Sequence, residues 1–389
     1  MRRDDFLAGT GARPATAKVE VLVGARAFWD RARRDIAAAR ERVLVQAMTY
    51  EGDLAGEAVA MALLASPAAE RRLLVDAYSL HVTNDRLLPY LPWRPAALRA
   101  EARATRRQLD RLVAGGVSVT VTNPVGRNPL HFPLRNHKKL IVADGVAYLG
   151  GVNFSDHNFA WHDAMVRFDD IRIADFLAST FAADREGRPR CAAARFGPLD
   201  LIALDGLSNE AALAPMLELL AAARHSIEMI GAYPTLPFTD SLTHAAANGV
   251  AVTIYTPRTN NKPLLRDFLF AEAARASGVR LALLPEMTHA KAAIVDGETV
   301  LFGSVNFNFA SWRSNGDLLA IGRDPALVAA FERALFAPAR ALARPAAPRE
   351  VAGWRRTKAR LLVELGDAAL ARLSFARLRR AVDWPIRSG

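Results

Sequence analysis

One short signature, His-x-Lys-x-x-x-x-Asp followed by a glycine turn and an asparagine, occurs twice in the 389 residues of this chain. The first copy, NHKKLIVADGVAYLGGVNF, holds His137, Lys139, Asp144, Gly150, Gly151 and Asn153. The second, THAKAAIVDGETVLFGSVNF, holds His289, Lys291, Asp296, Gly303, Ser304 and Asn306. His, Lys and Asp each recur after 152 residues; Asn recurs after 153, because the first copy is one residue shorter before its glycines. Chance makes single His-x-Lys pairs, not two with matched downstream residues. The chain is therefore a tandem duplication, and each half is expected to donate one set of His, Lys and Asn to a shared place.

The duplication fits the length, which exceeds one ordinary domain. The first half spans 18–186. Its apolar, β-branched runs RVLVQAMTY, RLLVDAY, VSVTVT, KLIVAD, VAYLGG and AMVRF read as strands, alternating with amphipathic patterns such as RAFWDRARRDIAAARER and ALRAEARATRRQLDRLVAGG. The second half, 201–337, repeats the order with SIEMIGAY, VAVTIYTP, VRLALLP, AAIVD, TVLFGS and DLLAIG. REGRPRCAAARFGP reads as the linker between them. Strands alternating with helices predict an α/β fold: two similar halves, each a mixed, largely parallel sheet flanked by helices, packed as a pseudo-two-fold pair. In both copies the Asp-Gly after the motif reads as a tight hairpin turn, so Asp144 and Asp296 are expected to bond backbone there. His and Lys, two apart, face one side if they lie on a strand.

The formal net charge is +11, which suits a polyanionic partner, nucleic acid or an anionic membrane surface. Residues 339–389 carry 12 Lys+Arg against 4 Asp+Glu, so a basic tail outside the duplicated part holds most of the excess. Its apolar residues recur at helical spacing between arginines, with Trp354 and Trp384 at the flanks; an amphipathic element on anionic lipid and a helix packed on the body both fit. A single cysteine, Cys191, excludes an internal disulfide framework and suggests a reducing compartment. The N-terminus has no signal-peptide pattern, and the longest apolar run is too short to span a bilayer.

Two His, two Lys and two Asn do not suit a metal site, because an ammonium repels a cation; no metal and no cofactor are expected. Lys and Asn donors suit phosphate oxygens, and His serves as nucleophile or proton carrier near neutral pH. One His could attack phosphorus while the other protonates the leaving oxygen. Lys139, Lys291, Asn153 and Asn306 would then hold the equatorial oxygens, with Ser304 as a further candidate phosphate ligand or a turn residue. Gly150, Gly151 and Gly303 supply the turn. Asp163, in WHDAMVRF, and Asp317, in SNGDLLAIG, open strands at matching distances and are candidates to orient the two His; solvated charges are the plainer alternative. His131, His157 and His162 have no counterpart in the other half. The Pro-rich LPYLPWRPAALRA could be a loop over the site or a connector.

These residues resemble the phospholipase D superfamily, whose hallmark is the duplicated motif, and among its members bacterial cardiolipin synthases and related phosphatidyltransferases, through NHKK, DG, LGGVN and WHD. The resemblance covers about 18–337. It implies a metal-free phosphohistidine intermediate passed to an alcohol or to water, with His137 as nucleophile and His289 as general acid. The expected enzyme is thus a phosphatidyltransferase on phospholipid at the inner face of a membrane. A phospholipase D-type hydrolase is the alternative, and a nuclease of the same superfamily a less favoured one.

Overall fold

The computed structural model describes residues 18–125, 132–276, 278–372 and 380–386. His131, the N-terminal segment and part of the basic tail lie outside the described residues. The chain divides into two compact units, one holding the described residues of 15–192 and 380–386, the other those of 193–374.

In the first unit the strands are β1 (Lys18–Val23), β2 (Arg42–Ala47), β3 (Glu70–Asp76), a small separate hairpin of β4 (Val82–Thr83) and β5 (Arg86–Leu87), then β6 (Ser118–Thr122), β7 (Leu140–Ala143), β8 (Val146–Gly150) and β9 (Ala164–Asp169). In the second they are β10 (Ala192–Phe196), β11 (Leu199–Ala203), β12 (Ser226–Ile230), β13 (Ala251–Pro257), β14 (Val279–Leu284), β15 (Ala292–Val295), β16 (Thr299–Gly303), β17 (Leu318–Gly322) and β18 (Arg344–Pro345). The last strand in the chain, β19 (Ala381–Asp383), joins the first sheet.

The two sheets share one design. The first runs β1-β9-β8-β7-β2-β3-β6-β19 and the second β11-β17-β16-β15-β12-β13-β14-β18, with β10 added outside β11. Each sheet is mixed, as expected, but parallel pairing does not prevail. The parallel strand pairs are those of β2-β3-β6 and of β12-β13-β14. Those strands are joined by helical crossovers, for example Leu54–Ala65 between β2 and β3. The motif strands are joined by tight turns, which force antiparallel neighbours.

The helices follow the apolar periodicity. Ala25–Ala38 buries Phe28, Ala32 and Ile36 at helical spacing, and these pack with Val43, Val45 and Tyr148 of the sheet. Asp53 caps the helix Leu54–Ala65 by accepting from Gly56 N, at 3.0 Å.

Residues of 339–389 do not stand apart from the two halves. β18 pairs with β14, and β19 pairs with β6. Helix Gly353–Arg372 buries Ala359 and Val363 against Phe268. A cut at 339 would therefore remove a strand from each sheet. Part of the expected linker is likewise a strand, β10. Among the described residues, no helix is long and apolar enough to cross a membrane.

Candidate functional site

In each unit the motif residues gather at one edge of the sheet. In the first, the parallel strands β2, β3 and β6 all end there. β7 runs the other way, pairing Leu140 with Gln46, so His137 and Lys139, just before β7, sit at that same edge. Gly150 at the end of β8 and Asp163 at the start of β9 arrive there too, since Gly150 pairs with Met165. The second unit repeats this: Ala292 pairs with Ile230, and Gly303 with Leu319. His and Lys thus lie in the segment leading into each strand and not on the strand itself, as their spacing had suggested.

All four motif side chains are buried. Lys139 Nζ donates to the carbonyl of His137 at 2.6 Å. Lys291 Nζ donates to the carbonyl of His289 and lies 2.9 Å from His289 Nδ1. Each ammonium therefore braces its own histidine, and Lys291 touches the ring as well. Tyr233 meets the His289 ring edge to face, with centroids 5.9 Å apart.

Asp163 and Asp317 are fully buried at the glycine turns, which excludes the solvated-charge reading. A Cβ on Gly151 would lie 2.2 Å from Asp163 Oδ1, so this turn has no room for a side chain. At the matching place Ser304 uses its side chain: Oγ donates to Asp317 Oδ1 at 2.6 Å and accepts from Leu318 N at 2.9 Å. Ser304 thus braces Asp317 across the turn. Gly150 and Gly303 admit the close approach of β9 and β17: a Cβ on either would meet a carbonyl oxygen, of Ala164 or Leu318, at 2.3 Å. Asn153 Oδ1 accepts from Thr49 N at 3.2 Å, which aims its amide. The Asn306 backbone donates to Ser311 Oγ at 3.1 Å.

Asp144 and Asp296 stand away from these groups. Both sit in the expected hairpin turns, with positive φ, but their carboxylates reach across the fold. Asp144 accepts from the backbone N–H of Arg40, Glu41 and Arg42, and Asp296 from those of Arg224, His225 and Ser226. Burial alone would raise both pKa values, but the three donors outweigh it and hold each below its ordinary 3.8. Their stabilising contribution is full above that value and is lost as pH falls through the lower folded one. Alanine at either position is expected to cost about 1–3 kcal/mol by leaving backbone donors unpaired. Urea unfolding would show this, while turnover per folded molecule stays at the wild-type level.

Behind His137 lies a network that the motif did not announce. Lys138 is wholly buried, and its Nζ bonds both oxygens of Asp184, at 2.8 and 2.9 Å. Asp184 Oδ2 also accepts from Gln46 Nε2 and Asn136 Nδ2. Asp76, at the end of β3, accepts from Arg135 Nη1 at 2.5 Å, Asn136 N at 2.7 Å and Asn123 Nδ2 at 3.0 Å. The stretch from 135 to 138 is thus clamped from below by two carboxylates. The second unit lacks this device: by register and motif spacing, Ile230 replaces Gln46 and Ala290 replaces Lys138.

Among the described residues, one trio of carboxylates, Glu51, Asp53 and Glu101, could hold a metal ion. None belongs to the motif. Burial, and then the charge of Glu101, hold the Glu51 carboxyl far above the usual range, which disfavours the ionised form a metal needs.

A family model described as "Cardiolipin synthase, PLD-like domain" matches residues 216–336, which hold β12 to β17 and the second motif. Residues 216–336 thus resemble the phospholipase D-like domain of cardiolipin synthases. The chain is 27% identical over 348 residues to cardiolipin synthase A of Pseudomonas putida strain W619, covering 80% of this chain and 66% of that protein. It is 28% identical over 235 residues to the minor cardiolipin synthase ClsB of Bacillus subtilis strain 168, covering 54% and 58%. The chain therefore spans about two thirds or less of the length of these relatives. Two solved structures share the fold at low identity. Phosphatidylserine synthase of Haemophilus influenzae Rd KW20 has a TM-score of 0.67 at 14% identity, covering 91% of this chain and 95% of that one. Polyphosphate kinase from Porphyromonas gingivalis has a TM-score of 0.59 at 12% identity, covering 92% and 57%.

Proposed function

We propose that the protein is a phosphatidyltransferase of the cardiolipin synthase type, acting on phospholipid phosphodiesters through a phosphohistidine. The observation that carries this reading is the repeated half-site: in each unit a buried His braced by Lys, beside an Asn and a buried Asp. A transfer with a covalent intermediate needs one nucleophile and one proton donor per turnover, and each half supplies one histidine. A ring nitrogen of His137 attacks phosphorus, the P–O bond to the leaving group breaks, and His289 gives that oxygen its proton. The acceptor hydroxyl then returns a proton to His289 while its oxygen attacks phosphorus and releases His137. Lys139, Lys291, Asn153 and Asn306 stabilise charge on the non-bridging oxygens, and Asp163 and Asp317 position the turns and histidines around them. The lipid substrate is carried by the likeness to cardiolipin synthases.

An anionic membrane surface on the cytoplasmic side is the proposed partner. Helix Gly353–Arg372 supports it: one face is pinned by Ala359 and Val363 and by the Arg355–Asp267 and Arg313–Asp367 ion pairs. The other face exposes Trp354, Leu361, Leu362 and Leu365 beside Lys358.

The test is incubation with phosphatidylglycerol labelled in its headgroup glycerol, with and without added unlabelled glycerol, with and without EDTA, alongside plasmid DNA, reading labelled glycerol released and the lipid products formed. Lipid transfer that depends on an alcohol and survives EDTA is the expected result. Release of phosphatidic acid alone would make the enzyme a hydrolase. Cleavage of DNA with no lipid turnover, or activity abolished by EDTA and restored by a divalent ion, would overturn the proposal.

A further inference from the structure

Between β3 and the helix Ala96–Ala114 the first unit carries the excursion that holds the β4–β5 hairpin and three prolines, Pro89, Pro92 and Pro95. It leaves the sheet at the end of β3, the same edge at which His137 and Asn153 lie. The excursion is built, not loose. Leu88 N donates to His81 O at 2.7 Å, Arg94 Nη2 to Leu87 O at 2.5 Å, and Arg99 Nη1 to Pro92 O at 2.6 Å. Asn84 N donates to the buried Glu51 carboxyl, and Asn84 Nδ2 to Glu101 at 2.7 Å. His157, four residues after Asn153, stands 4.0 Å from Asp85.

This fixed excursion turns large apolar groups outward. Trp93 is 75% exposed, Leu87 45% and Tyr90 43%. An ordered backbone that spends its braces on exposing Trp, Tyr and Leu has a cost in water that a soluble surface loop avoids. The cations beside them select the occupant. Arg86 is exposed on the hairpin, and Arg103, Arg106 and Arg107 are exposed on the helix whose Arg99 holds the Pro92 carbonyl. The neighbouring acids are engaged inward, Glu101 by Asn84 and Asp85 toward His157. Exposed aromatic rings on one segment, with exposed arginines on that segment and on the helix that follows it, match the headgroup layer of an anionic bilayer, where rings sit at the interface and cations meet lipid phosphates.

We propose that the segment 82–95, with the exposed arginines of the following helix, is a docking element that seats the protein on an anionic lipid surface beside the first half-site. The proposal rests on a lipid substrate for that site. The test uses the full chain and vesicles of phosphatidylcholine with or without phosphatidylglycerol, read by co-sedimentation. Wild type is expected to bind the anionic vesicles, less so at high salt, and W93A/Y90A about tenfold more weakly. R103Q/R106Q is expected to weaken the anionic preference. Both variants should turn over a short-chain, monomeric phosphatidylglycerol at the wild-type rate, because no motif residue has changed.

Unaltered vesicle binding in both variants overturns the docking element, whatever the turnover. So does wild-type binding that ignores phosphatidylglycerol, or a Trp93-dependent dimer in sedimentation with no vesicle binding. Absence of turnover on any lipid, with vesicle binding still sensitive to Trp93, would overturn the catalytic reading and leave the surface standing.

Discussion

Alanine at either His137 or His289 is expected to lower lipid turnover by roughly 10³-fold or more, since each removes a nucleophile or a proton carrier. The two losses should not multiply. With one histidine gone the other has no partner step, so H137A/H289A should be about as inactive as the worse single variant. Neither substitution touches the clamp beneath the motif, which is made by Asp76, Asp184 and Lys138, so thermal unfolding should move little. A single variant that keeps near-wild-type turnover would show that the two half-sites work independently or that one is idle.

The second large effect is on stability. Asp184→Ala leaves the buried Lys138 ammonium without its carboxylate, and strands the Gln46 and Asn136 amides that share it. Breaking such a pair from one side costs about 3–5 kcal/mol. Lys138→Ala should cost less, because Asp184 keeps both amide donors. The double variant should fall well short of the sum of the two singles. Urea unfolding with all three proteins measures this, and an Asp184→Ala variant within about 1 kcal/mol of wild type would remove the clamp from the description.

The duplication and most of the sheet were open to a reader of the sequence. Runs such as VAVTIYTP and TVLFGS are β-branched, apolar and bounded by turn residues, and they form β13 and β16. β1, KVEVLV, was missed because its alternation of Val with Lys and Glu is short and abuts a helix without a turn signal other than Gly24. β19 was missed because a strand of three residues, Ala381–Asp383, has no pattern of its own; it exists because β6 offers an open edge. Parallel pairing was overestimated because alternation of strands and helices predicts crossovers, whereas the motif itself encodes a hairpin.

Spacing singled out the His, Lys, Asn and Asp that gather at one sheet edge in each unit. It could not find Asp76, Gln46 or Asp184, which lie 61, 91 and 47 residues from His137 and meet its segment only in the fold. Lys138 sat in plain view inside the motif, but one Lys beside another reads as surface charge until its burial is known. Asp144 and Asp296 were rightly assigned to backbone bonding, yet their partners are some 70 to 100 residues away, which no local turn rule supplies.

The most direct measurement is the mass of the full chain quenched in alkali during turnover of phosphatidylglycerol, followed by peptide mapping. A covalent phosphatidyl group on a motif histidine, His137 by the roles assigned above, is expected in wild type. It should disappear when glycerol is added in excess and be absent from H137A. Full turnover with no covalent lipid at either His137 or His289, or an adduct on a residue outside both motifs, would contradict transfer through a phosphohistidine.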